Sequence, residues 1–142
     1  FEYQPLDTTI ASFRLIRVLP TRSADGHLRL KLWHDIVSVK PHREAKRPYR
    51  CLSYRWGDQT CRKPILLNGK LFFVGTNLHD FLEETFIWSR SPPNRSIFDE
   101  ALWIDSICIN QESVEERGHQ VQRMERIYAR ARLVLVWLGK AT

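Results

Sequence analysis

Three strand-like segments after residue 48 constrain the fold more than any other feature. They cover residues 49–56 (YRCLSYRW), 101–109 (ALWIDSICI) and 133–138 (LVLVWL). The second and third are largely apolar, which is typical of strands covered on both faces. The segments between them have helical character, and strands joined by helices pair in parallel through right-handed crossovers. The sequence therefore predicts an α/β fold with a three-layer parallel sheet flanked by helices.

Two helices are predicted between these strands. Thr76 or Asn77 can cap the first helix. The apolar residues on one side of that helix are Leu78, Phe81, Leu82 and Phe86. The second helix covers about 113–131, where Ser113 and Glu116 have the S-x-x-E spacing of a capping box. The residues of its predicted buried stripe are Val114, Val121, Met124, Tyr128 and Ala131.

Two hairpins are expected as additions to this core. Residues 13–19 and 28–37 are predicted strands, separated by the turn sequence SADG. Asn68-Gly69 lies between two apolar runs and favours a type I′ turn, which needs positive φ at both positions. The length of 142 residues suits one domain. Within it we expect an N-terminal β region and basic loop at 1–48 and an α/β core at 49–142.

The chain has a net charge of +6, and its densest basic stretch runs from Lys40 to Arg50. Such a stretch can bind phosphates, nucleotides or nucleic acid. The favoured interpretation is a solvated loop, because Pro41 and Pro48 frame it. No nucleic-acid motif or interleaved aromatic residues accompany it, so nucleic-acid binding is disfavoured.

Several classes of protein are disfavoured by what the sequence lacks. Its three cysteines, Cys51, Cys61 and Cys108, are isolated, which predicts no disulfide framework, no zinc or other metal site, and a cytoplasmic location. No apolar run reaches the ~20 residues of a membrane helix, and the first residues do not resemble a signal peptide. The absence of G-x-G-x-x-G, Walker and G-x-S-x-G motifs disfavours standard dinucleotide oxidoreductases, P-loop NTPases and α/β-hydrolases.

The end of the first core strand carries candidate binding residues, because ligands of open parallel sheets bind beyond the carboxyl ends of the strands. In the segment SYRWGD, Arg55 can hold a phosphate or carboxylate, Trp56 can stack on a planar ring, and Gly57 permits a close approach. Ser53 and Asp58 complete this candidate cofactor-binding set. The alternative is a strand that leaves the core through a Gly-Asp turn, with Trp56 packed in the core.

The end of the second core strand adds candidate reacting groups. Asp105 is a charge inside an apolar run, so it is either a hydrogen-bonded structural group or a working carboxylate. Gln111 closes the same segment and joins the candidate cofactor-binding residues. Cys108, between two isoleucines, is interpreted as a buried and inert thiol. Glu116 is explained as the acid of a capping box, and the sequence leaves open whether it also faces the cleft.

Taken together, these segments resemble the fungal heterokaryon incompatibility (HET) domain. Residues 49–58 (YRCLSYRWGD) are similar to its Y-x-A-L-S-Y-x-W-G-D block, and residues 103–111 (WIDSICINQ) to its W-I-D-A-I-C-I-N-Q block. The ILLNG and TNL segments at 65–78 and the tail from Glu116 to Gly139 also match in order. The resemblance implies an effector domain of self/non-self recognition that triggers programmed cell death.

The family is also remotely similar to TIR domains, which implies a flavodoxin-like sheet and hydrolysis of NAD at the nicotinamide–ribose bond. On that basis, Arg55 and Trp56 would hold the phosphates or a ring, and Asp105 or Gln111 would orient the ribose. Glu116 would stabilise the positive charge that develops as nicotinamide leaves. The candidate catalytic residues are thus Glu116 and Asp105, NAD is the expected substrate, and no bound cofactor is expected.

The resemblance also allows a non-catalytic alternative. In that case the domain would act as a signalling module through homotypic assembly or through recruitment of other incompatibility or NLR-type proteins. Release of nicotinamide from NAD by the purified domain would separate the two functions.

Overall fold

A mixed sheet of seven strands organises residues 1–37, 47–90 and 100–140, which the computed structural model describes. In chain order the strands are β1 (Ser12–Val18), β2 (Arg29–Ile36), β3 (Tyr49–Tyr54), β4 (Arg62–Leu67), β5 (Lys70–Gly75), β6 (Ala101–Trp103) and β7 (Leu133–Trp137). The helices are α1 (Thr76–Ser89), α2 (Asp105–Cys108) and α3 (Val114–Arg130). Across the sheet the strand order is β5-β4-β2-β1-β6-β3-β7. The α/β class predicted from the sequence is confirmed.

The parallel part of the sheet consists of β6, β3 and β7, with β3 in the middle. Cys51 of β3 lies opposite Trp103 of β6 on one side and Val134 of β7 on the other. The chain passes from β3 to β6 and then to β7, on the other side of β3. The carboxyl ends of these three strands therefore meet at one edge of the sheet, where ligands of such sheets bind.

Helices α1 and α3 cover opposite faces of this parallel part. Because side chains alternate along a strand, Tyr49 and Tyr54 of β3 face opposite sides. On the Tyr49 side, its hydroxyl donates a hydrogen bond to the Ile127 carbonyl of α3. On the Tyr54 side, Trp137 lies beside Tyr54 in the strand register, and its ring packs edge-on against Phe81 of α1, with 5.7 Å between ring centroids. The predicted three-layer arrangement is therefore found around β3.

The two hairpins belong to the same sheet, which corrects the prediction of an all-parallel sheet with hairpins as additions. β1 pairs antiparallel with both β2 and β6, and β2 pairs in parallel with β4. Every residue of β1 except Arg17 is buried. A strand buried to that extent needs a neighbour on each edge and cover on each face, so it lies inside the sheet.

The tight turns form as the sequence predicts. At the tip of the first hairpin, the Gly26 N–H donates to the Ser23 carbonyl, and Gly26 has a φ of +83°. In the second hairpin, Asn68 and Gly69 have φ values of 50° and 80°, as a type I′ turn requires. These turns depend on local backbone preferences, which a short sequence determines.

The start of α1 differs from its prediction. Its N-cap is Gly75, which makes no side-chain capping bond, so neither Thr76 nor Asn77 caps the helix. The Asn77 side chain instead donates to the Arg55 carbonyl and accepts from the Trp137 indole. The predicted apolar side of α1 is buried, and its residues are Leu78, Phe81, Leu82 and Phe86.

Two of the predicted core strands differ in extent or burial. β6 ends at Trp103, because the chain turns into α2 at Asp105 instead of remaining extended to residue 109. β7 forms as predicted but lies at an edge of the sheet, where Val134 is 43% exposed and Val136 67% exposed. The prediction of a buried strand there is wrong, since an apolar run does not distinguish a central strand from an edge strand.

The buried side of α3 also differs from the predicted stripe. Its fully buried residues are Gln120 and Ile127. The Gln120 Nε2 donates to the Ser12 carbonyl of β1, and apolar periodicity cannot detect a polar contact of this kind. The residues of the predicted stripe that are exposed or only half-buried are Val114, Val121, Met124 and Tyr128.

Only the end of the basic stretch lies in the described residues, because residues 38–46 fall outside them. The Arg50 side chain is buried, and its Nε donates to the Glu100 carboxylate at 2.8 Å. Arg132 pairs with the same carboxylate at 2.6 Å. At this position the stretch is therefore neither a solvated loop nor an open anion site, but part of an ion pair beside β3.

The burial of α3 predicts a large loss of stability for one truncation and almost none for another. Ile127→Ala should reduce the free energy of unfolding by about 2–5 kcal/mol, because Ile127 is fully buried and the change leaves a cavity. Val121→Ala, on the exposed side, should change it by no more than about 0.5 kcal/mol. Chemical denaturation of both variants measures this. A larger loss for Val121→Ala would contradict the orientation of α3.

Candidate functional site

A cleft opens where β3 and β6 end. Its cavity has a volume of about 480 Å³, within the range of ligand pockets. Tyr54, the last residue of β3, and Trp56 line one part of it, and Ser106 and Gln111, after β6, line another. Residues 71–75 of β5, with Phe1 and Tyr3, form a further part of its wall. The Tyr54 hydroxyl and the Ser106 hydroxyl are 2.5 Å apart and share a hydrogen bond. The ends of two neighbouring parallel strands thus bring aromatic and polar side chains together.

Asp105 does not itself line this cleft, but it is hydrogen-bonded to Trp56, which does. The Trp56 indole N–H donates to Asp105 Oδ1 at 3.3 Å, and Trp56 is 38% exposed. Burial raises the pKa of Asp105 above its usual value, while the bonds from Trp56 and from backbone N–H groups oppose that rise. A carboxyl with a raised pKa beside a cavity is a candidate acid–base group. Because its side chain is partly exposed, Trp56 is not packed in the core, which was the alternative interpretation.

Gln111 fixes the loop that carries these groups. Its Nε2 donates to the Asp105 carbonyl at 2.9 Å, so the segment from α2 to α3 folds back on itself. The predicted residues Trp56, Asp105 and Gln111 are thus brought together around one cleft. Their roles in binding or catalysis remain predictions.

The other predicted binding residues lie in a second recess. Ser53, Arg55, Gly57 and Asp58 line an open cavity of about 620 Å³ between the ends of β3 and β7. Arg55 does not line the first cleft, so the expectation of one pocket for Arg55, Trp56 and Gln111 is corrected to two adjoining cavities. The first cavity lies towards β6 and the second towards β7, and Trp56 and Arg55 line different ones.

Two residues of the second recess were not identified from the sequence. Asn77 bridges the two strand ends, because its Nδ2 donates to the Arg55 carbonyl at 2.7 Å and its Oδ1 accepts from the Trp137 indole at 3.0 Å. Trp137 lines the recess beside Asn77. The only signal available for Asn77 was its polar side chain at the start of a helix, which suggested a cap.

Glu116 is engaged by a buried arginine. Its two carboxylate oxygens accept from Arg14 at 2.7 and 2.8 Å, and Arg14 is fully buried. The Asn110 N–H also donates to this carboxylate. Ser113 caps α3 as predicted, since its hydroxyl accepts from the Glu116 N–H at 3.1 Å. The reciprocal bond of a capping box is absent, because the Ser113 N–H donates to the Asn110 carbonyl.

The surroundings of Glu116 favour its ionised form. Burial alone would raise its pKa, but hydrogen bonds from Arg14 and from the Asn110 N–H outweigh burial and lower the pKa below 4.5. Glu116 lines a third recess, together with Tyr3, Asn110 and His119. Glu116 does not line the first cleft, although its recess shares Tyr3 and Asn110 with that cleft.

All three cysteines are free thiols, and Cys61 is exposed. Cys51 and Cys108 are buried free thiols, and burial raises the pKa of each to about 12. The interpretation of Cys108 as a buried thiol is confirmed. Across residues 1–37, 47–90 and 100–140, His, Cys, Asp and Glu side chains form no cluster that could hold a metal ion. In the same residues no helix is long and apolar enough to cross a bilayer.

Comparison with known proteins identifies the family. A sequence model described as "Heterokaryon incompatibility protein (HET)" matches residues 49–142. The chain belongs to the heterokaryon incompatibility family. The HET match begins at β3 and includes the ends of β3, β6 and β7 beside the two recesses, whereas Arg14 lies before it. The resemblance to this family noted in the sequence is thereby confirmed.

A curated relative supports the same assignment. The chain is similar to "Heterokaryon incompatibility protein 6, OR allele" of Neurospora crassa, with 39% identity over 98 residues. This match covers 66% of the chain and 14% of the relative, so the HET domain corresponds to a small part of that protein. No solved structure matches the chain significantly.

The ion pair of Glu116 predicts a loss of stability when its charge is removed. Glu116→Gln leaves the buried Arg14 without a counter-charge and should lower the free energy of unfolding at pH 7 by about 3–5 kcal/mol. Because the folded-state pKa of Glu116 is lowered, the ion pair stabilises the fold above pH 4.5, and this stabilisation is lost as the pH falls through the folded-state pKa. Denaturation from pH 7 to pH 3 measures both effects.

A matched double variant provides the control. Arg14→Met combined with Glu116→Gln removes both charges, so it should be more stable than Glu116→Gln alone. A Glu116→Gln variant as stable as the wild type would contradict the structural role of Glu116 and favour a catalytic role instead.

Proposed function

We propose that this HET domain is the effector part of a heterokaryon incompatibility protein and triggers programmed cell death when unlike cells fuse. Membership of the family and the 39% identity to the Neurospora crassa protein support this proposal. We further propose that the domain acts in the cytoplasm, where NAD and its partner proteins would be accessible. Its partners would include other incompatibility or NLR-type proteins.

We also propose that the domain acts as an enzyme that hydrolyses NAD in the cleft between β3 and β6. The observation that carries this proposal is the Asp105 carboxyl, which has a raised pKa and is hydrogen-bonded to Trp56, a residue that lines a cavity of about 480 Å³. Tyr54 and Trp56 offer aromatic surface to a planar ring, and Gln111 offers polar contact to a ribose.

The proposed reaction breaks the bond between nicotinamide and C1′ of the ribose. The electron pair of that bond goes to the pyridinium nitrogen, so nicotinamide leaves as a neutral molecule and the ribose becomes oxocarbenium-like. Ionised Asp105 would stabilise this positive charge. Water then adds to C1′ and releases a proton, which gives ADP-ribose. Glu116 could contribute only at the cost of its contacts with Arg14, so Asp105 is the stronger catalytic candidate.

A likeness to TIR domains and to flavodoxin-like sheets is part of this proposal. Its support is the order of the parallel strands, β6-β3-β7. Among these three, β3 comes first in the chain, and β6 and β7 form later on its two sides. Helices α1 and α3 on opposite faces of these strands are consistent with the same arrangement.

Release of nicotinamide from NAD tests the proposal. The purified domain should release it, and Asp105→Asn should reduce kcat by about 10²–10³-fold, because asparagine keeps the hydrogen-bond acceptor for Trp56 but lacks the charge. Activity should also fall as the pH is lowered through the raised pKa of Asp105, since the ionised form is required.

The matched control is Asp25→Asn, in the exposed turn between β1 and β2, which should leave kcat unchanged. Full activity of Asp105→Asn would exclude this mechanism, and so would an inactive wild-type domain that is shown to be folded and clustered.

A second candidate function is non-catalytic homotypic assembly, which is favoured by the edge strand β7. Within the described residues no strand pairs with its outer edge, and Val136 and Leu138 are 67% and 92% exposed. Exposed apolar edges are sites of pairing with other chains. Under this function the domain would release no nicotinamide, and Val136→Lys would abolish cell killing.

A further inference from the structure

We propose that the second recess, between the ends of β3 and β7, binds the phosphates and base of a nucleoside diphosphate. Arg55 would bind the phosphates, and Trp137 would contact the base. This inference shares with the proposed function only the assumption that the ligand is a nucleotide. It requires that the nucleotide binds, but not that it is hydrolysed.

The position of the recess follows from the path of the chain. From β3 the chain passes through the β4–β5 hairpin and α1 to β6, and then through α2 and α3 to β7. Helices α1 and α3 lie on opposite faces of the sheet. The crevice between β3 and β7 is therefore the point at which the order of strands reverses. Open α/β sheets bind nucleotides at such a switch point, beyond the carboxyl ends of the strands.

Arg55 supplies the positive charge. Its side chain is exposed and lines the recess, and it makes no ion pair or side-chain hydrogen bond within the described residues. Most other arginines near the sheet are engaged, as Arg14 is by Glu116 and Arg50 by Glu100. A guanidinium offers a planar set of donors that matches phosphate oxygens.

Trp137 supplies the aromatic surface, and Asn77 holds it beside Arg55. The Trp137 indole N–H donates to Asn77 Oδ1, and one side of its ring packs against Phe81, so its orientation is fixed before any ligand binds. The same Asn77 side chain donates to the Arg55 carbonyl, which fixes the backbone that carries the arginine. Preformed geometry of this kind lowers the entropic cost of binding.

The rest of the recess leaves room for the ligand. Gly57 has a φ of +69°, and a Cβ atom built there would meet nothing within 4 Å. Asp58 also lines the recess, and hydrogen bonds from Thr60 lower the pKa of its carboxyl, which therefore stays negatively charged. Lys140, just beyond the recess, lies 3.7 Å from Asp80. Arg55 is therefore the cation that remains available for a phosphate in this part of the described structure.

The second recess also adjoins the proposed catalytic cleft. Tyr54 lines both cavities, and Arg55 and Trp56 follow it on the two sides of the chain. A dinucleotide could therefore place its diphosphate beside Arg55 and its reacting ribose near Asp105. This explains why two adjacent residues at one strand end are a cation and an aromatic ring.

Calorimetric titration with ADP and with adenosine tests the inference. The wild-type domain should bind ADP more tightly than adenosine, because only ADP engages Arg55. Arg55→Gln should weaken ADP binding by about tenfold or more and change adenosine binding less than about twofold. Trp137→Leu should weaken both ligands. Arg117→Gln, an exposed arginine on α3, is the matched control and should bind both ligands as the wild type does.

The outcomes separate this inference from NAD hydrolysis. Asp105→Asn should keep full ADP affinity. If the wild type binds ADP through Arg55 but releases no nicotinamide, nucleotide binding in the second recess is supported and NAD hydrolysis is not. Equal binding of ADP by Arg55→Gln and wild type, equal affinity for adenosine and ADP, or no ADP binding at millimolar concentration would each overturn the inference. Arg55 is exposed, so its substitution should leave the thermal unfolding temperature unchanged.

Discussion

The buried ion pair between Arg14 and Glu116 is the contact on which the candidate site depends. Arg14 lies in the central strand β1 and also donates to the Cys108 carbonyl, while the Glu116 carboxylate accepts from the Asn110 N–H. These bonds hold the segment between α2 and α3 against the sheet, and that segment carries Gln111. A fully buried guanidinium would be very unfavourable without a partner, so the position of α3 is tied to β1.

At the edge of the sheet beside this ion pair, the end of β3 lies between two cavities. Trp56 leaves the strand end on one side and meets Asp105, whereas Arg55 leaves it on the other side and lies beside Trp137. Tyr54 lines both cavities. One short strand end thus supplies an aromatic group and a cation to neighbouring sites, which suits a ligand with a planar ring and phosphates.

Sequence reasoning succeeded where structure depends on local preferences and failed where it depends on distant partners. Asn68-Gly69 and Ser113 were predicted correctly, because turn and cap geometry involve only adjacent residues. The buried positions of Gln120 and Glu116 were missed, since their partners lie 108 and 102 residues away. Arg14 gave one usable signal, a charge within the apolar strand FRLIRVL. The sequence indicated the candidate residues at the strand ends, but not their division between two cavities, because it does not show that β6 and β7 lie on opposite sides of β3.

The central claim is that a nucleotide lies across the two cavities, with Trp56 on one side and Trp137 on the other. The most direct test is an NMR titration of the 15N-labelled domain with ADP-ribose, following the indole N–H signals of its five tryptophans. We expect the signals of Trp56 and Trp137 to shift, while that of the buried Trp103 stays in place. Unchanged signals for both Trp56 and Trp137 at saturating ADP-ribose would contradict the account.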